Sequence, residues 1–330
     1  MYLYEYISCP ICGEDKTELI YKVRECTGKY QEIFNLVQCK KCKLAYVNPR
    51  PSKEELLRYY PEESYYAYKE VKNKINFKNK IKNLLLEIAG GYSIKNYKFF
   101  VKYGIIQKIL KRLSSHLLLC VVPFKKEGKL LDVGCGNGSF LMWHKTRGWD
   151  VLGIDISKSA CDLCEKKGIK VFKGELQDAK IESESFDVVT LIQVLEHLHD
   201  PIGTLKEINR VLKNDGLLII GVPNYGCFDR KILGKKWPFL EIPRHLYHFD
   251  IGVLRNILDL NGFNIIEIRG KGFYLYGIRA LRNIKKGTQI FDLLKIFINL
   301  VFLKLILLIL SKGRKEKYAP LISFFCKKVI

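Results

Sequence analysis

Three glycines at alternate positions, Gly134, Gly136 and Gly138, follow a short apolar run and precede a helical pattern. Glycine lets the backbone pass close to a ligand, and a helix N-terminus presents free N–H groups. The loop is not a dinucleotide fingerprint, because Ser139 stands where that pattern needs glycine, and no Lys-Ser or Lys-Thr follows to make a P-loop. Asp132, just before the loop, would repel a pyrophosphate and attract an amino group.

Acidic side chains also follow the next two predicted strands. Asp155 ends the second, where a carboxylate can accept hydrogen bonds from both ribose hydroxyls of a nucleoside lying across the strand ends. Glu175 and Leu176 follow the third. Asp132 and Asp155 together suit a ligand that carries an amino acid and a ribose.

Two Cys-x-x-Cys pairs lie near the start of the chain, Cys9/Cys12 and Cys39/Cys42, with plausible strands between them. Each pair can place two thiolates about 2.3 Å from one metal ion, and a hairpin would bring the pairs together as a tetrahedral zinc site. We see no signal peptide, so the thiols should stay reduced. The alternative is four buried structural thiols. A further pair, Cys161-x-x-Cys164, falls in a helical pattern and is expected to be a packed helix face.

The elements that position these residues alternate between strand and helix. The predicted strands cover residues 129–133, 149–154, 169–172, 186–192, 216–222, 263–269 and 319–327. Ser157 and Asp200 are expected to cap helices, with Pro201 at the first helical position. This alternation predicts an α/β fold with a mainly parallel, doubly wound sheet.

The order of the motifs resembles that of class I S-adenosylmethionine-dependent methyltransferases. The segments that carry the resemblance are Asp-Val-Gly-Cys-Gly-x-Gly (132–138), Asp155, Phe-Asp-Val-Val (186–189), Val-Leu-Glu-His-x-x-Asp-Pro (194–201) and Leu-Lys-x-Asp-Gly (212–216). The resemblance implies a Rossmann-like sheet of seven strands with the last one antiparallel, and S-adenosyl-L-methionine as the methyl donor.

The same resemblance implies a set of cofactor-binding residues. They are Asp132, Gly134, Cys135, Gly136, Gly138, Asp155, Ile156, Glu175, Leu176 and Gln193. The glycine loop would lie along the methionine moiety, with Asp132 facing its amino group. Asp155 would bind the ribose, Glu175 and Leu176 the adenine, and Gln193 would form the floor beside the sulfonium.

Outside this region, the chain resembles bacterial methyltransferases with a Cys-rich N-terminal module, which are often associated with surface sugars, antibiotics or quinone-like molecules. The segments are Asn48-Pro-Arg-Pro, Gly234-Lys-Lys-Trp-Pro and His245-Leu-Tyr-His-Phe-Asp250. We therefore predict a small zinc-ribbon-like module at 1–50, a helical connector or lid at 51–125 and a methyltransferase domain at 126–330. In the connector, Ser52 can cap a helix that begins Lys-Glu-Glu-Leu-Leu, and further helical patterns lie at 81–88 and 99–119.

Methyl transfer to oxygen needs a group that takes the hydroxyl proton, and a neutral histidine suits this near pH 7. The candidates are His197, His199, His245 and His248. We predict His245 and His197 as catalytic, because His197 follows the fourth strand and His245 lies in a loop after the fifth. A hydrogen-bonded structural role is the alternative for each.

An apolar helical insertion is predicted at about 274–312, and residues 291–310 have about the length of a membrane span. Polar side chains interrupt this segment, and a single crossing would separate the final strand from its sheet. We expect the segment to dock on the protein, with peripheral contact to the inner membrane face as the alternative. The expected location is cytoplasmic.

The net charge of +22 leaves several partners open, although a solvated lysine-rich surface accounts for most of it. The leading hypothesis is O-methylation of a small-molecule, sugar or lipid-linked acceptor. One alternative is a zinc-ribbon nucleic-acid-binding protein or RNA-modifying methyltransferase, and another is C-methylation of a nucleotide sugar. Nucleic-acid base chemistry is disfavoured, because Val222-Pro-Asn-Tyr225 follows the fifth strand rather than the fourth.

Overall fold

The computed structural model describes residues 3–60, 77–92, 118–271 and 315–329. No helix within these ranges combines the length and apolar character that a bilayer crossing needs. The predicted insertion at 274–312, with the apolar segment 291–310, lies outside the described residues, as do residues 99–117 of the predicted connector helix.

The N-terminal region is built from short antiparallel strands. In chain order they are β1 (Tyr4–Glu5), β2 (Thr17–Arg24), β3 (Ile33–Cys39), β4 (Ala45–Val47) and β5 (Arg50–Pro51). β1 pairs with β5, and β3 lies between β2 and β4. The hairpin of β2 and β3 separates the two Cys-x-x-Cys pairs, as the sequence predicted.

Two helices of the connector are described. Ser52 caps the short α1 (Lys53–Leu56) by accepting a hydrogen bond from the Glu55 N–H at 3.2 Å, and a 3-10 turn, Leu57–Tyr59, continues it. α2 (Phe77–Gly90) contains the predicted helical pattern at 81–88.

The central sheet has seven strands. They are β6 (Lys129–Val133), β7 (Asp150–Asp155), β8 (Lys170–Lys173), β9 (Phe186–Ile192), β10 (Leu212–Pro223), β12 (Phe263–Lys271) and β13 (Leu321–Lys328). Their spatial order is β12-β13-β10-β9-β6-β7-β8. β6 to β10 pair in parallel, and β13 runs antiparallel between β10 and β12. The predicted seven-stranded sheet with an antiparallel last strand is therefore confirmed.

The helices described beside this sheet begin at side-chain caps, except the first, which begins at Gly138. They are α3 (Ser139–Lys145), α4 (Lys158–Lys166), α5 (Pro201–Val211), α6 (Phe228–Leu233) and α7 (Ile251–Leu260). The Ser157 and Asp200 side chains accept from N–H groups in the first turns of α4 and α5, which confirms both predicted caps. α4 buries Cys161 and Cys164, so that pair forms a packed helix face.

A two-residue strand joins the N-terminal sheet to the second half of the chain. β11 (Tyr247–His248) pairs antiparallel with β4 and completes a four-stranded sheet in the order β11-β4-β3-β2. The Val47 N–H also donates to the Leu246 carbonyl at 2.9 Å. One hydrophobic core contains both the buried side chains of β3 and β4 and one face of the central sheet, so the N-terminal strands are packed as part of the same body.

Candidate active site

A cavity of about 360 Å³ lies at the carboxyl ends of the parallel strands. β7 and β9 lie on opposite sides of β6, so the chain reverses its direction across the sheet here, which is the usual ligand position in open α/β sheets. The walls include residues from the ends of four strands, such as Gly134, Asp155, Gly174 and Gln193. Lys53 to Tyr60 contribute a further wall, which includes Leu56 and Leu57.

The glycine loop has the backbone conformation that its sequence suggests. Gly134, Gly136 and Gly138 have φ angles of 73°, 52° and 70°, in the left-handed region that favours glycine. A Cβ on Gly134 would lie 2.3 Å from the Val194 Cγ2 atom. The loop is therefore free of side chains where it borders the cavity, and a ligand can approach its backbone.

Asp155 connects this loop to the cavity. Its carboxylate accepts hydrogen bonds from the Gly136 N–H at 2.8 Å and the Ser157 N–H at 2.9 Å. Burial raises the pKa of Asp155, and the N–H donors oppose that change. The carboxylate is thus fixed at the end of β7 on the cavity wall, where it could accept the hydroxyls of a ribose.

The predicted cofactor residues fall into two groups by position. Those on the wall are Gly134, Gly136, Asp155, Ile156, Glu175, Leu176 and Gln193. Asp132, Cys135 and Gly138 lie behind it. Asp132 accepts a hydrogen bond from the Thr190 hydroxyl at 2.6 Å, and burial raises its pKa to about 7. The Cys135 Sγ lies 3.8 Å from the Cys164 Sγ, and Gly138 begins α3.

The family model described as "Methyltransferase domain" matches residues 103–268, which is half of the chain. The chain belongs to this methyltransferase family. Together with the cofactor motifs, the match makes the protein an S-adenosyl-L-methionine-dependent methyltransferase.

Individual relatives are similar to parts of the methyltransferase. An uncharacterised protein of Methanocaldococcus jannaschii is 34% identical over 152 residues, covering 46% of this chain and 68% of that protein. A ubiquinone biosynthesis O-methyltransferase of Actinobacillus pleuropneumoniae is 27% identical over 165 residues, covering 44% of this chain and 69% of that enzyme. A methyltransferase structure from Archaeoglobus fulgidus has 21% identity, covers 70% of this chain and 97% of its own, and has a TM-score of 0.45.

His197 lines the cavity of the methyltransferase just after β9. Its Nδ1 atom lies 2.9 Å from the Arg244 carbonyl and 2.7 Å from the Tyr60 hydroxyl. Because a carbonyl only accepts, Nδ1 carries the proton and Nε2 keeps its lone pair. Burial lowers the pKa of His197 to about 4, so the imidazole is neutral near pH 7.

His245, the other predicted catalytic histidine, lies behind His197 rather than on the cavity wall. The two ring centroids are 4.6 Å apart, and His245 is buried. The His245 Nδ1 atom lies 2.8 Å from the Phe239 carbonyl, which again leaves Nε2 with its lone pair. Burial and the neighbouring His197 and His248 hold the pKa of His245 well below its usual value. The catalytic role of either residue stays a prediction.

The remaining two candidate histidines have other surroundings. His199 lies on the cavity wall, but its Nε2 atom is 3.1 Å from the Pro51 carbonyl, in agreement with a structural role. His248 is buried in β11 beside Tyr225, with the ring centroids 5.4 Å apart.

Several residues at the site were not identified from the sequence. Tyr60 contacts His197, and Lys53 forms an ion pair with Glu175, with 2.8 Å between Nζ and Oε1. Glu196 is buried beside His197. It lies in the motif at 194–201 that carried the resemblance, but the sequence did not single it out as a site residue. Tyr60 and Lys53 had no local signal except their place in a segment expected to cover the active site.

The four N-terminal cysteines come together as their spacing predicted. Their sulfur atoms all lie within 4.8 Å of one another. Cys9 is 3.4 Å from Cys42, and Cys12 is 3.5 Å from Cys39, measured between Sγ atoms. A tetrahedral zinc site with bonds of about 2.3 Å has sulfur atoms about 3.8 Å apart, so this set fits zinc with small adjustments.

Replacing Asp155 with Asn should weaken S-adenosylmethionine binding about 10- to 100-fold. The amide has one acceptor oxygen for two N–H donors, and it removes the charged acceptor from the ribose position, where such hydrogen bonds contribute about 1.5–3 kcal/mol. Isothermal titration calorimetry measures the change. Asp162→Asn is the control, since that exposed side chain pairs with Lys158 on α4. An unchanged Kd in a folded Asp155→Asn protein would contradict the assignment.

Proposed function

We propose that this methyltransferase methylates an oxygen atom of a small acceptor, a class that includes sugars and lipid-linked molecules. The observation that carries the proposal is His197, a neutral imidazole on the cavity wall whose Nδ1–H is held by the Arg244 carbonyl. Its second nitrogen, Nε2, keeps a lone pair that can accept the proton of a hydroxyl. The ubiquinone biosynthesis O-methyltransferases among the relatives support an oxygen acceptor.

In the proposed reaction, His197 Nε2 accepts the hydroxyl proton while the acceptor oxygen forms a bond to the methyl carbon. The carbon–sulfur bond of the donor breaks, and its electron pair stays on sulfur, so the sulfonium becomes a neutral thioether. The protein's contribution is to align the two reactants and exclude water. Leu57 and Tyr60, which line the cavity from the connector side, support the second role.

We also propose that Cys9, Cys12, Cys39 and Cys42 hold a structural zinc ion. These residues would hold together the chain segments that enter and leave the β2–β3 hairpin at its open end. The ion would have a structural role and would take no part in methyl transfer. The ion would stabilise β3 and β4 and, through them, the pairing of β4 with β11.

A test of the proposed function uses S-adenosylmethionine with an isotopically labelled methyl group. The purified protein is incubated separately with quinol-type phenols, nucleotide sugars, lipid-linked sugars and RNA, and the labelled products are analysed by mass spectrometry and NMR. We expect the label on oxygen of a hydroxylated small molecule. Label found on carbon of a nucleotide sugar, or on RNA alone, would replace the proposal with one of the alternatives.

Contact with a membrane through residues 291–310 stays a prediction from the sequence, as does the cytoplasmic location. A lipid-linked acceptor would explain such contact, because the acceptor itself would lie at the membrane surface.

A further inference from the structure

Beside the cavity lies a cluster of three side chains that suits a metal ion. A carboxylate oxygen of Glu196 and one ring nitrogen each of His197 and His245 all lie within 4.8 Å of one another. Among the described residues, this is the one such group besides the four cysteines. The cluster joins the turn after β9 to the loop before β11.

Glu196 is unusual among buried carboxylates. Its side chain is 1% exposed, and neither carboxylate oxygen has a hydrogen-bond partner within the described part of the chain. Burying an unpaired carboxylate is costly, so such groups are normally paired, protonated or bound to a metal. Burial accordingly raises the pKa of Glu196 to about 8. Two imidazoles lie next to it, so one ion bound between the three side chains would satisfy them together.

The two histidines are oriented as metal ligands usually are. Each ring lies within hydrogen-bond distance of a backbone carbonyl through Nδ1, Arg244 for His197 and Phe239 for His245. A hydrogen bond from the other ring nitrogen to a carbonyl is the arrangement that orients metal-bound histidines, because it fixes the tautomer and leaves Nε2 as the donor atom. Both rings are also held in the neutral form that a ligand requires.

We propose that Glu196, His197 and His245 bind a divalent transition-metal ion at the acceptor side of the cavity. The proposal rests on the proposed O-methylation. Two imidazoles and one carboxylate favour zinc, iron, cobalt or manganese over magnesium or calcium, which prefer oxygen ligands. Metal–ligand bonds of about 2.0–2.2 Å place tetrahedral ligand atoms roughly 3.4 Å apart. The three atoms, which lie within 4.8 Å of one another, reach this arrangement with small adjustments.

Three protein ligands leave a coordination position for the acceptor hydroxyl. His197 is the member of the cluster that lines the cavity, so the ion would lie next to it. Coordination lowers the pKa of a bound hydroxyl, as it does that of water, to near neutral. The hydroxyl proton then passes to solvent, and the oxygen takes the methyl group. In the metal-loaded enzyme His197 is a ligand, and coordination replaces direct proton transfer to its ring.

Cobalt(II) distinguishes this site from the cysteine site. Full-length protein is produced with cobalt, and the metal content per chain is measured by mass spectrometry beside the visible spectrum. Thiolate ligands give strong charge-transfer bands, whereas nitrogen and oxygen ligands give weaker d–d bands. We expect Glu196→Gln to lose one cobalt per chain and the d–d bands of that site while keeping the thiolate bands. The substitution keeps the shape of the side chain and introduces no charge, so the fold should persist.

His199→Gln is the matched control, since His199 also lines the cavity but is outside the cluster. It should keep the cobalt content of the unaltered protein. The proposal is overturned if Glu196→Gln binds as much cobalt as the unaltered protein, or if all cobalt is thiolate-bound. Methyl transfer to oxygen without a second ion would retain the proposed function and remove the metal. A second bound ion in a protein that methylates carbon or RNA would support the metal site and exclude O-methylation.

Discussion

Replacing His197 with Ala should lower turnover about 10²- to 10⁴-fold while changing the Kd of S-adenosylmethionine by less than about twofold. That range is typical of losing a group that takes a proton from the reacting atom, and the loss of a metal ligand acts in the same direction. His197 contacts the connector and the Arg244 carbonyl, while Asp155 and the glycine loop lie on other elements. The measurements are steady-state kinetics with the identified acceptor and calorimetry with the cofactor.

Two companion measurements separate a chemical role from a structural one. Free imidazole should restore part of the activity of His197→Ala, because the truncated side chain leaves space beside the cavity. Tyr60→Phe, which removes the hydroxyl 2.7 Å from the His197 Nδ1 atom, should have a smaller effect of about tenfold. Equal turnover in His197→Ala and the unaltered protein would exclude His197 from the reaction.

Replacing Cys39 with Ser should remove one equivalent of zinc per chain and unfold the N-terminal strands. Structural zinc contributes about 10–16 kcal/mol to the folding of small zinc-binding modules. Cys39 is also fully buried at the end of β3, so the effect should extend to β4 and β11. Zinc analysis and hydrogen exchange of the backbone amides measure the result.

Cys26→Ser is the control in the same region. The Cys26 thiol accepts a hydrogen bond from the Arg244 side chain at 3.1 Å and is not one of the four clustered sulfurs. This variant should keep its zinc and its exchange protection. If Cys39→Ser kept both as well, the four cysteines would be buried structural thiols, the alternative left open by their spacing.

The central sheet could be predicted closely from the sequence because each strand lies between turn or cap residues that act locally. Ser157 and Asp200 start their helices through hydrogen bonds to N–H groups three residues away. The antiparallel β13 was predicted from the resemblance. β11 was not predicted, because two residues carry no periodicity and its pairing with β4 spans some two hundred residues of chain.

The site was predictable to the extent that motifs follow strand ends. Asp155 ends one strand of the sheet, and Glu175 and Gln193 follow two others, so the three residues meet at one edge. Lys53 and Tyr60 reach that edge through tertiary packing, and no motif in the residues around them predicts this. The sequence also could not predict that Asp132 lies behind the wall and accepts a hydrogen bond from Thr190. A residue near a strand end can point to either face of the sheet.

The pairing of β11 with β4 has a consequence for how these proteins can be divided. A fragment starting near residue 126 would carry β11 without its partner strand, and its cavity would lack the side chains from Lys53 to Tyr60. Replacing only the Cys-rich segment with an unrelated one would break the same sheet. The N-terminal strands and the segment around His245 therefore form one structural unit, although they lie far apart in the sequence. We expect a chimeric protein to fold only if both segments come from the same parent.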